Sequence, residues 1–209
     1  MSEENITYHY PNKMGRIILL ALEEVLGRNG LNAVLNLAQL LHLINNFPPN
    51  NFDLGFSFED VGTIFETLDS MYGPIGGRGL ALRAGRACFK YGIREFGPVL
   101  GISDLAFRLL PLNMKLKVGA EVFVDVFNRY TDQVVRLEED PNQFLWHIER
   151  CPVCWGRKTE TTCCYLAVGI LQEALFWVSG GRNFMVEEIQ CIAQGEEACT
   201  IRIERQPLD

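Results

Sequence analysis

The feature that most constrains the fold is the run of residues 183–204, which has the pattern of two strands joined at one glycine. Cys191 and Cys199 are equidistant from Gly195. In an antiparallel pair that turns at this glycine, the two cysteines face each other with Cβ atoms about 5 Å apart. The second strand alternates, with isoleucines on the face that carries Cys199. Both cysteines are therefore expected at the edge of a core, within reach of a shared metal ion or a disulfide.

Composition bounds the class of protein. The chain has 209 residues, of which 48% are apolar, so it can bury a full core, and its net charge of -7 argues against a general nucleic-acid binder. Residues 1–13 lack the apolar core of a signal peptide, and the longest apolar run, residues 17–22, is too short to span a membrane. We expect a cytoplasmic protein whose seven cysteines are reduced, which favours metal binding over a disulfide framework.

In the first two thirds of the chain, apolar residues have the spacing of helices, and glycines and prolines separate one helical segment from the next. Ser57 is a candidate cap for the third helix, and His42 is expected to be a partly buried histidine rather than a ligand. Glycines in residues 73–79 predict a flexible turn, because no strand precedes them and no Gly-Lys-Ser/Thr follows, as a phosphate loop requires. The predicted helices cover residues 14–26, 31–46, 57–72, 80–100 and 103–130, with a break or kink at Pro111.

In the last third of the chain, the spacing of apolar residues changes from helical to the alternation that is typical of strands. Residues 133–139 and 143–151 predict a hairpin, residues 163–178 a helix, and residues 183–204 a second hairpin. His147 is expected on the surface or at a sheet edge. The fold class is α+β, with helices packed on a four-stranded, mainly antiparallel sheet. We expect a single domain over residues 1–209, with a mainly helical part (1–130) and a hairpin–helix–hairpin part (131–209).

Thiols converge in this last third, and Glu188 is close to them in sequence. Four thiolate or carboxylate ligands build a structural zinc site, which ties a helix to a hairpin instead of activating water. The single CxxC also suits thiol redox chemistry, but that requires a helix directly after it, and about seven residues intervene here. The cysteines are Cys151, Cys154, Cys163, Cys164, Cys191 and Cys199.

Three sequence features together resemble the 4-vinyl reductase domain family. They are the Glu-x2-Cys-x7-Cys run that contains Gly195, the cysteine before the apolar helix CCYLAVGILQEAL, and the glycine-rich link between them. That family includes a bacteriochlorophyll-biosynthesis protein and the sensing domains of phenol-responsive regulators, and the N-terminal runs YHYPNKMGRIILLALEEVLG and GGRGLALRAGR are similar to its bacteriochlorophyll members. The resemblance implies a TRAPP-subunit-like, commonly dimeric fold around a pocket for a hydrophobic ligand.

The resemblance also implies a ligand set for zinc, since phenol-sensing members hold the ion with three cysteines and a glutamate. Carried over, the set is Cys164, Glu188, Cys191 and Cys199, with Cys163 as the alternative to Cys164. In a regular strand Glu188 and Cys191 point to opposite faces, so joint ligation requires a bulge. Without a bulge, Cys151 or Cys154 would replace the glutamate.

These features predict a zinc-stapled homodimeric domain that binds a small hydrophobic or tetrapyrrole-like ligand for sensing or delivery. One alternative is a 4-vinyl (proto)chlorophyllide reductase or its accessory protein, although no GxGxxG follows a strand and no acid–base pair stands out. Another is an interaction scaffold without a ligand. We name no catalytic residue, and enzyme activity is not expected.

Overall fold

A computed structural model describes residues 7–100, 107 and 109–209, including their side chains except those of residues 98–100. Within these ranges the chain forms four long helices, a two-stranded sheet and a four-stranded sheet. Short 3-10 turns cover Leu41–Leu43 and Ile192–Gln194. The helices and strands are β1 (His9–Pro11), α1 (Asn12–Leu37), β2 (Leu54–Ser57), α2 (Phe58–Leu100), α3 (Leu112–Tyr130), β3 (Val135–Glu139), β4 (Gln143–Ile148), α4 (Tyr165–Ser179), β5 (Phe184–Gln190) and β6 (Cys199–Pro207).

Each of α1 and α2 consists of two helical segments that meet at a kink formed by one glycine. Gly27 has φ 72° and ψ 162°, and Gly73 has φ 72° and ψ 165°, a conformation that glycine adopts without steric cost. Helical backbone resumes after each kink, so the predicted flexible turn at residues 73–79 is wrong beyond Gly73. The predicted helix over residues 31–46 is shorter, because α1 ends at Leu37. Residues 101–106 and 108 of the last predicted helix lie outside the described residues, and α3 follows Pro111.

The start of α2 follows the sequence prediction. The backbone N–H of Asp60 donates a hydrogen bond of 3.0 Å to Ser57 Oγ, which satisfies one of the free donors of the first turn. Glu59 and Asp60 place negative charge at the positive end of the helix dipole. Ser57 is therefore the N-terminal cap, as predicted.

The larger sheet has the strand order β3-β4-β6-β5, and every neighbouring pair is antiparallel. The α+β prediction of helices with a four-stranded antiparallel sheet is thus confirmed. Phe144, Trp146 and Ile148 are buried on one face of β4, and Ile201 and Ile203 are buried beside them on β6. This face supports the helices.

His147 is not a surface residue, contrary to the sequence prediction. Its side chain is buried, and its Nδ1 lies 3.1 Å from Oγ1 of Thr200 on the neighbouring strand. Nε2 lies 3.5 Å from a carboxylate oxygen of Glu138 on β3. The error follows from the position of β4 inside the sheet, since neighbouring strands on both sides cover a side chain that strand periodicity alone places outside.

Helices α2 and α4 cross at two glycines. A Cβ atom added to Gly85 would lie 2.9 Å from the Cα atom of Gly169, and one added to Gly169 would lie 3.1 Å from the Cα atom of Gly85. Such distances leave no room for a side chain at either position. The close crossing brings the first turn of α4, which carries Leu166, against the interior of the helical layer.

No helix in the described part of the chain combines the length and the apolar character needed to cross a membrane.

Candidate functional site

Six of the seven cysteines meet in one buried cluster between the CPVC loop, the start of α4 and the β5–β6 hairpin. All are unbonded thiols, and all six are almost completely excluded from solvent. The Sγ–Sγ distances are 3.4 Å for Cys151–Cys164 and Cys154–Cys199, 3.6 Å for Cys164–Cys199, and 3.8 Å for Cys163–Cys191, Cys164–Cys191 and Cys191–Cys199. We call this group the cysteine cluster.

The loop between β4 and α4, which carries Cys151 and Cys154, is held in place by Arg157. This guanidinium is buried; its Nη2 donates to Asp69 Oδ2 of α2 at 2.5 Å, and its Nη1 donates to the Val153 carbonyl at 3.3 Å. A second tie joins the loop to the turn after β5, since the Thr159 N–H donates to the Ala193 carbonyl at 3.0 Å. The CPVC segment is thus fixed against both α2 and the hairpin.

Glu188 belongs to the cluster because of an irregularity in β5. Glu188 pairs with Ile201, but Gln190 pairs with Thr200, so the register shifts by one residue between them. In a regular strand, successive side chains alternate between the two faces, and this bulge interrupts the alternation in β5. Glu188 and Cys191 are therefore both buried on the same side. The bulge that joint ligation requires is therefore present.

The first turn of α4 is bonded to the same glutamate. The backbone N–H of Cys164 donates a hydrogen bond of 2.7 Å to Glu188 Oε2, whereas the other carboxylate oxygen, Oε1, is buried without a partner. Burial raises the pKa of Glu188 to about 9. Hydrogen bonds from the thiols of Cys154 and Cys163 lower the pKa of Cys191, while burial raises the pKa of Cys164. The cluster is a buried set of acids, and one carboxyl oxygen in it, Glu188 Oε1, has no hydrogen-bond partner.

Two groups of four donor atoms in this cluster have the spacing of metal ligands. The first is Cys151, Cys154, Cys164 and Cys199, and the second is Cys164, Glu188, Cys191 and Cys199. Within each group all ligand atoms lie within 4.8 Å of one another. A tetrahedral site with metal–sulfur bonds of about 2.3 Å has sulfurs about 3.8 Å apart, which is close to the observed separations of 3.4 to 3.8 Å.

The structure thus brings together all four residues of the predicted ligand set. Cys164 belongs to both groups of donors, whereas Cys163 contacts Cys191 but belongs to neither. Cys151 and Cys154 join the cluster in addition to Glu188, although the sequence presented them as its replacement. His42 lies exposed in the first 3-10 turn and has no part in the site.

The second feature is an apolar cavity of about 90 Å³ between the helices, near the cluster. Its polar edges are already bonded, because Tyr10 OH donates to Gln133 Oε1 at 2.9 Å and Cys88 Sγ lies 4.0 Å from the Ile17 carbonyl. We call it the helical cavity. Its described lining residues are Tyr10, Met14, Ile17, Ile18, Cys88, Phe89, Gly92, Ile93, Phe96, Phe123, Val126, Phe127, Leu166 and Ile170.

A smaller void of about 30 Å³ lies between the helical cavity and the cysteine cluster. Tyr10 and Leu166 line both spaces, and Cys151 lines the smaller one. The sequence did not reveal these lining residues. Their helical spacing is visible in α1 and α4, but the same spacing is found in any core helix.

Comparison with known proteins identifies a fold. No protein-family model and no curated protein sequence matches the chain. Among solved structures, it is similar to an H-NOX (heme-nitric oxide/oxygen binding) protein from S. oneidensis in its Fe(II)NO state, with a TM-score of 0.54 and 13% identity over 93% of this chain and 99% of that one. It is also similar to an unliganded Fe(II) H-NOX protein from K. algicida, with a TM-score of 0.56 and 14% identity over 95% of this chain and 98% of that one. For an oxygen-binding H-NOX domain related to soluble guanylate cyclases, the TM-score is 0.51 and the identity 15% over 92% of this chain and 94% of that one.

These likenesses correct three predictions. The assignment to the 4-vinyl reductase domain family is wrong, because the similar solved structures are H-NOX domains, and the TRAPP-subunit-like label is not confirmed. Zinc, predicted from the thiolate and carboxylate donors and from the ligand set of that family, is wrong as well, since the structural relatives are proteins of heme iron. What the likeness does establish is the architecture: this chain has an α+β fold like that of H-NOX domains.

Proposed function

We propose that this chain is a small-ligand-binding domain whose ligand is a compact apolar molecule held in the helical cavity. The observation that carries the proposal is the cavity itself, since its walls are aliphatic and aromatic and its polar groups are already bonded. An enclosed cavity of about 150 Å³ with walls of this kind stays dry and binds benzene or xenon, which shows the class of ligand that such a lining selects. The likeness to H-NOX domains, which bind small ligands in the proteins named above, supports the same class of function.

Heme, the group that the structural relatives carry, does not fit this cavity. A heme is several times larger than about 90 Å³. None of the three histidines of the chain, His9, His42 and His147, is among the described lining residues. Burial raises the pKa of Cys88 well above its usual value, so the thiol is protonated and is a poor heme ligand. No arginine or lysine among the described lining residues would pair with heme carboxylates.

The same mismatch argues against the tetrapyrrole-like ligand and the reductase that the sequence suggested. A chlorophyll precursor has a macrocycle of the same size as heme, so it meets the same limit of volume. We therefore restrict the ligand to single-ring aromatic or short hydrocarbon molecules. An interaction scaffold without a ligand is the competing function, and the experiment below distinguishes the two.

We also propose that Cys164, Glu188, Cys191 and Cys199 hold a metal ion that fastens α4 to the β5–β6 hairpin. Support comes from the spacing of the four donor atoms and from the buried, unpartnered Oε1 of Glu188. The donors suit a thiophilic ion. Elemental analysis of the purified protein identifies the ion.

The predicted homodimer, the single domain over residues 1–209 and the cytoplasmic location stay proposals. For the dimer, support comes from Phe176 and Trp177, two adjacent aromatic side chains near the end of α4 that are 41% and 38% exposed. Light scattering coupled to gel filtration of the wild-type chain, compared with Trp177→Ser, measures the oligomeric state and the contribution of this surface.

Ligand binding can be tested with one change that fills the cavity. Gly92 lines the cavity, and a Cβ atom there would meet no heavy atom within 4 Å, so Gly92→Leu adds volume without a backbone clash. Gly79→Leu is the matched control, because Gly79 lies in the same helix with open space around it and is exposed to solvent. Thermal unfolding is followed with and without toluene.

A ligand that binds only the folded state stabilises it by about 2.7 kcal/mol at 100 times its Kd. We expect toluene to raise the Tm of the wild type and of Gly79→Leu, and to leave the Tm of Gly92→Leu unchanged. Equal shifts in all three proteins would place toluene elsewhere and contradict the proposal. No shift in any of them, with toluene and with a panel of similar molecules, would favour the scaffold.

A further inference from the structure

The two groups of donors share one pair of residues. Cys164 and Cys199 belong to both groups, and their Sγ atoms are 3.6 Å apart. Each group of four donors forms a tetrahedron around one ion, and the two tetrahedra share the edge between Cys164 and Cys199. With one ion in each group, these two thiolates would bridge the two ions. The geometry points to a binuclear metal–thiolate centre in which Cys164 and Cys199 bridge two thiophilic ions.

Each ion then has two terminal ligands of its own. Cys151 and Cys154 complete the first site, with Sγ atoms 3.4 Å from those of Cys164 and Cys199, respectively. Cys191 and Glu188 complete the second, with the Cys191 sulfur 3.8 Å from both bridging sulfurs. The ligands number six, as two edge-sharing tetrahedra require.

A single ion leaves donors of this cluster unused. If it takes the group with Glu188, the buried thiols of Cys151 and Cys154 remain beside it at sulfur–sulfur distances of 3.4 Å from its ligands. If it takes the CPVC group, the buried Glu188 Oε1 keeps no partner, which is costly for a buried polar atom. Two ions satisfy every donor except Cys163.

The spacing also suits bare ions better than an iron–sulfur cluster. Inorganic sulfides hold the cysteine sulfurs of such a cluster apart, around several irons. Here the ligand atoms of each group all lie within 4.8 Å of one another, so each group encloses a single ion. Soft or borderline divalent ions are the class that thiolates select in this geometry.

The charges of such a centre nearly balance. Five thiolates and one carboxylate carry six negative charges, and two divalent ions supply four positive ones. Each thiol and the protonated Glu188 carboxyl lose one proton to solvent as the ions bind. The buried guanidinium of Arg157, which interacts electrostatically with Cys163 and Cys164 and has an unpartnered Nε, supplies a further positive charge at the cluster.

This inference rests on the metal site proposed above, and the stoichiometry of binding separates the two. The full chain is reduced, freed of metal with a chelator and titrated with cadmium, then examined by native mass spectrometry and ¹¹³Cd NMR. We expect two cadmium ions per chain and two resonances, one shifted as for four sulfur ligands and one as for three sulfurs and an oxygen. Scalar coupling between the two resonances would demonstrate the bridging thiolates.

Other outcomes overturn specific parts of the proposal. One cadmium per chain contradicts the binuclear centre and leaves the single site standing. No bound cadmium contradicts both sites. Two ions without mutual coupling contradict the bridging role of Cys164 and Cys199.

Variants assign the ligands. The double variant Cys151→Ser/Cys154→Ser is expected to lose the four-sulfur resonance and to retain the other ion. Cys163→Ser and Cys88→Ser are the matched controls, the first inside the cluster and the second far from it in sequence, and both should bind two ions. Loss of an ion from Cys163→Ser would overturn the ligand assignment. The wild-type titration tests the stoichiometry even where a variant folds poorly.

Discussion

Glu188 on β5 accepts a hydrogen bond of 2.7 Å from the backbone N–H of Cys164, the residue that precedes α4. No side chain within α4 caps this end of the helix, so a carboxylate from a different element takes that place. The second oxygen, Oε1, is left for another partner in the cysteine cluster. One side chain thus joins the helix start, the hairpin and the proposed metal site.

Replacing this carboxylate tests its structural role in the metal-free protein. Glu188→Ala leaves the buried N–H of Cys164 without an acceptor, and we expect a loss of about 1–3 kcal/mol in the free energy of unfolding. Glu188→Gln keeps an acceptor oxygen and should lose less. Urea unfolding of both variants without metal measures the difference, and equal losses would contradict the capping role.

The glycine crossing of α2 and α4 predicts a sharp dependence on side-chain size. A methyl group at Gly169 would press on the backbone of α2, so Gly169→Ala is expected to cost about 1–3 kcal/mol. Gly79→Ala is the control, since it has open space and should stabilise α2 by about 0.5–1 kcal/mol. Chemical denaturation of the two variants measures the change in the free energy of unfolding, which should be a loss for Gly169→Ala and a gain for Gly79→Ala. A neutral Gly169→Ala would show that the helices are farther apart than described.

The ion pair between Arg157 and Asp69 predicts a local effect on the CPVC loop. The Arg157 side chain is buried and that of Asp69 is partly exposed, so Asp69→Asn should cost about 1–2 kcal/mol, less than a fully buried pair. Hydrogen exchange should accelerate first in residues 151–160. An acceleration spread evenly over the chain would contradict a role confined to this loop.

Metal removal should loosen the last third of the chain selectively, because ions held by α4, the CPVC loop and the hairpin stabilise only the state that brings these elements together. We expect a chelator to lower the Tm, and Cys199→Ser to have a lower Tm and metal content even without the chelator. Cys88→Ser keeps the cluster, so the chelator should lower its Tm by as much as it lowers that of the wild type. An unchanged Tm in Cys199→Ser with unchanged metal content would contradict the metal site.

Much of this architecture could be predicted from sequence because its signals are local. The turn at Gly195, the alternation in β6 and the Ser57 cap each depend on a few neighbouring residues, and the structure has all three. The predicted ligand residues also converge. Prediction failed where the same residues are compatible with two local structures. The glycines at residues 73–79 could form a turn or stay helical, and in the structure only Gly73 leaves the helical conformation.

The cavity and the joint use of all the donors depend on tertiary packing. Leu166 and Ile170 show the same apolar spacing whether they fill a core or line a space, so periodicity could not separate the two. Cys151 and Glu188 were predicted as alternatives because a regular strand directs Glu188 and Cys191 to opposite faces, and the bulge in β5 that brings them together depends on strand pairing. The position of Cys151 depends on the loop between β4 and α4. The contact of Arg157 with α2 fixes that loop and is a long-range feature.

The most direct test of the central claim is a nuclear Overhauser measurement on the protein with ¹³C-labelled isoleucine methyl groups and saturating toluene. Ile17, Ile18, Ile93 and Ile170 line the helical cavity, whereas Ile75 and Ile189 are exposed and serve as internal controls. We predict contacts from the toluene ring to methyl groups of the first set and none to the second. Contacts only to Ile75 and Ile189, or to none of the six, would contradict a binding site in the cavity.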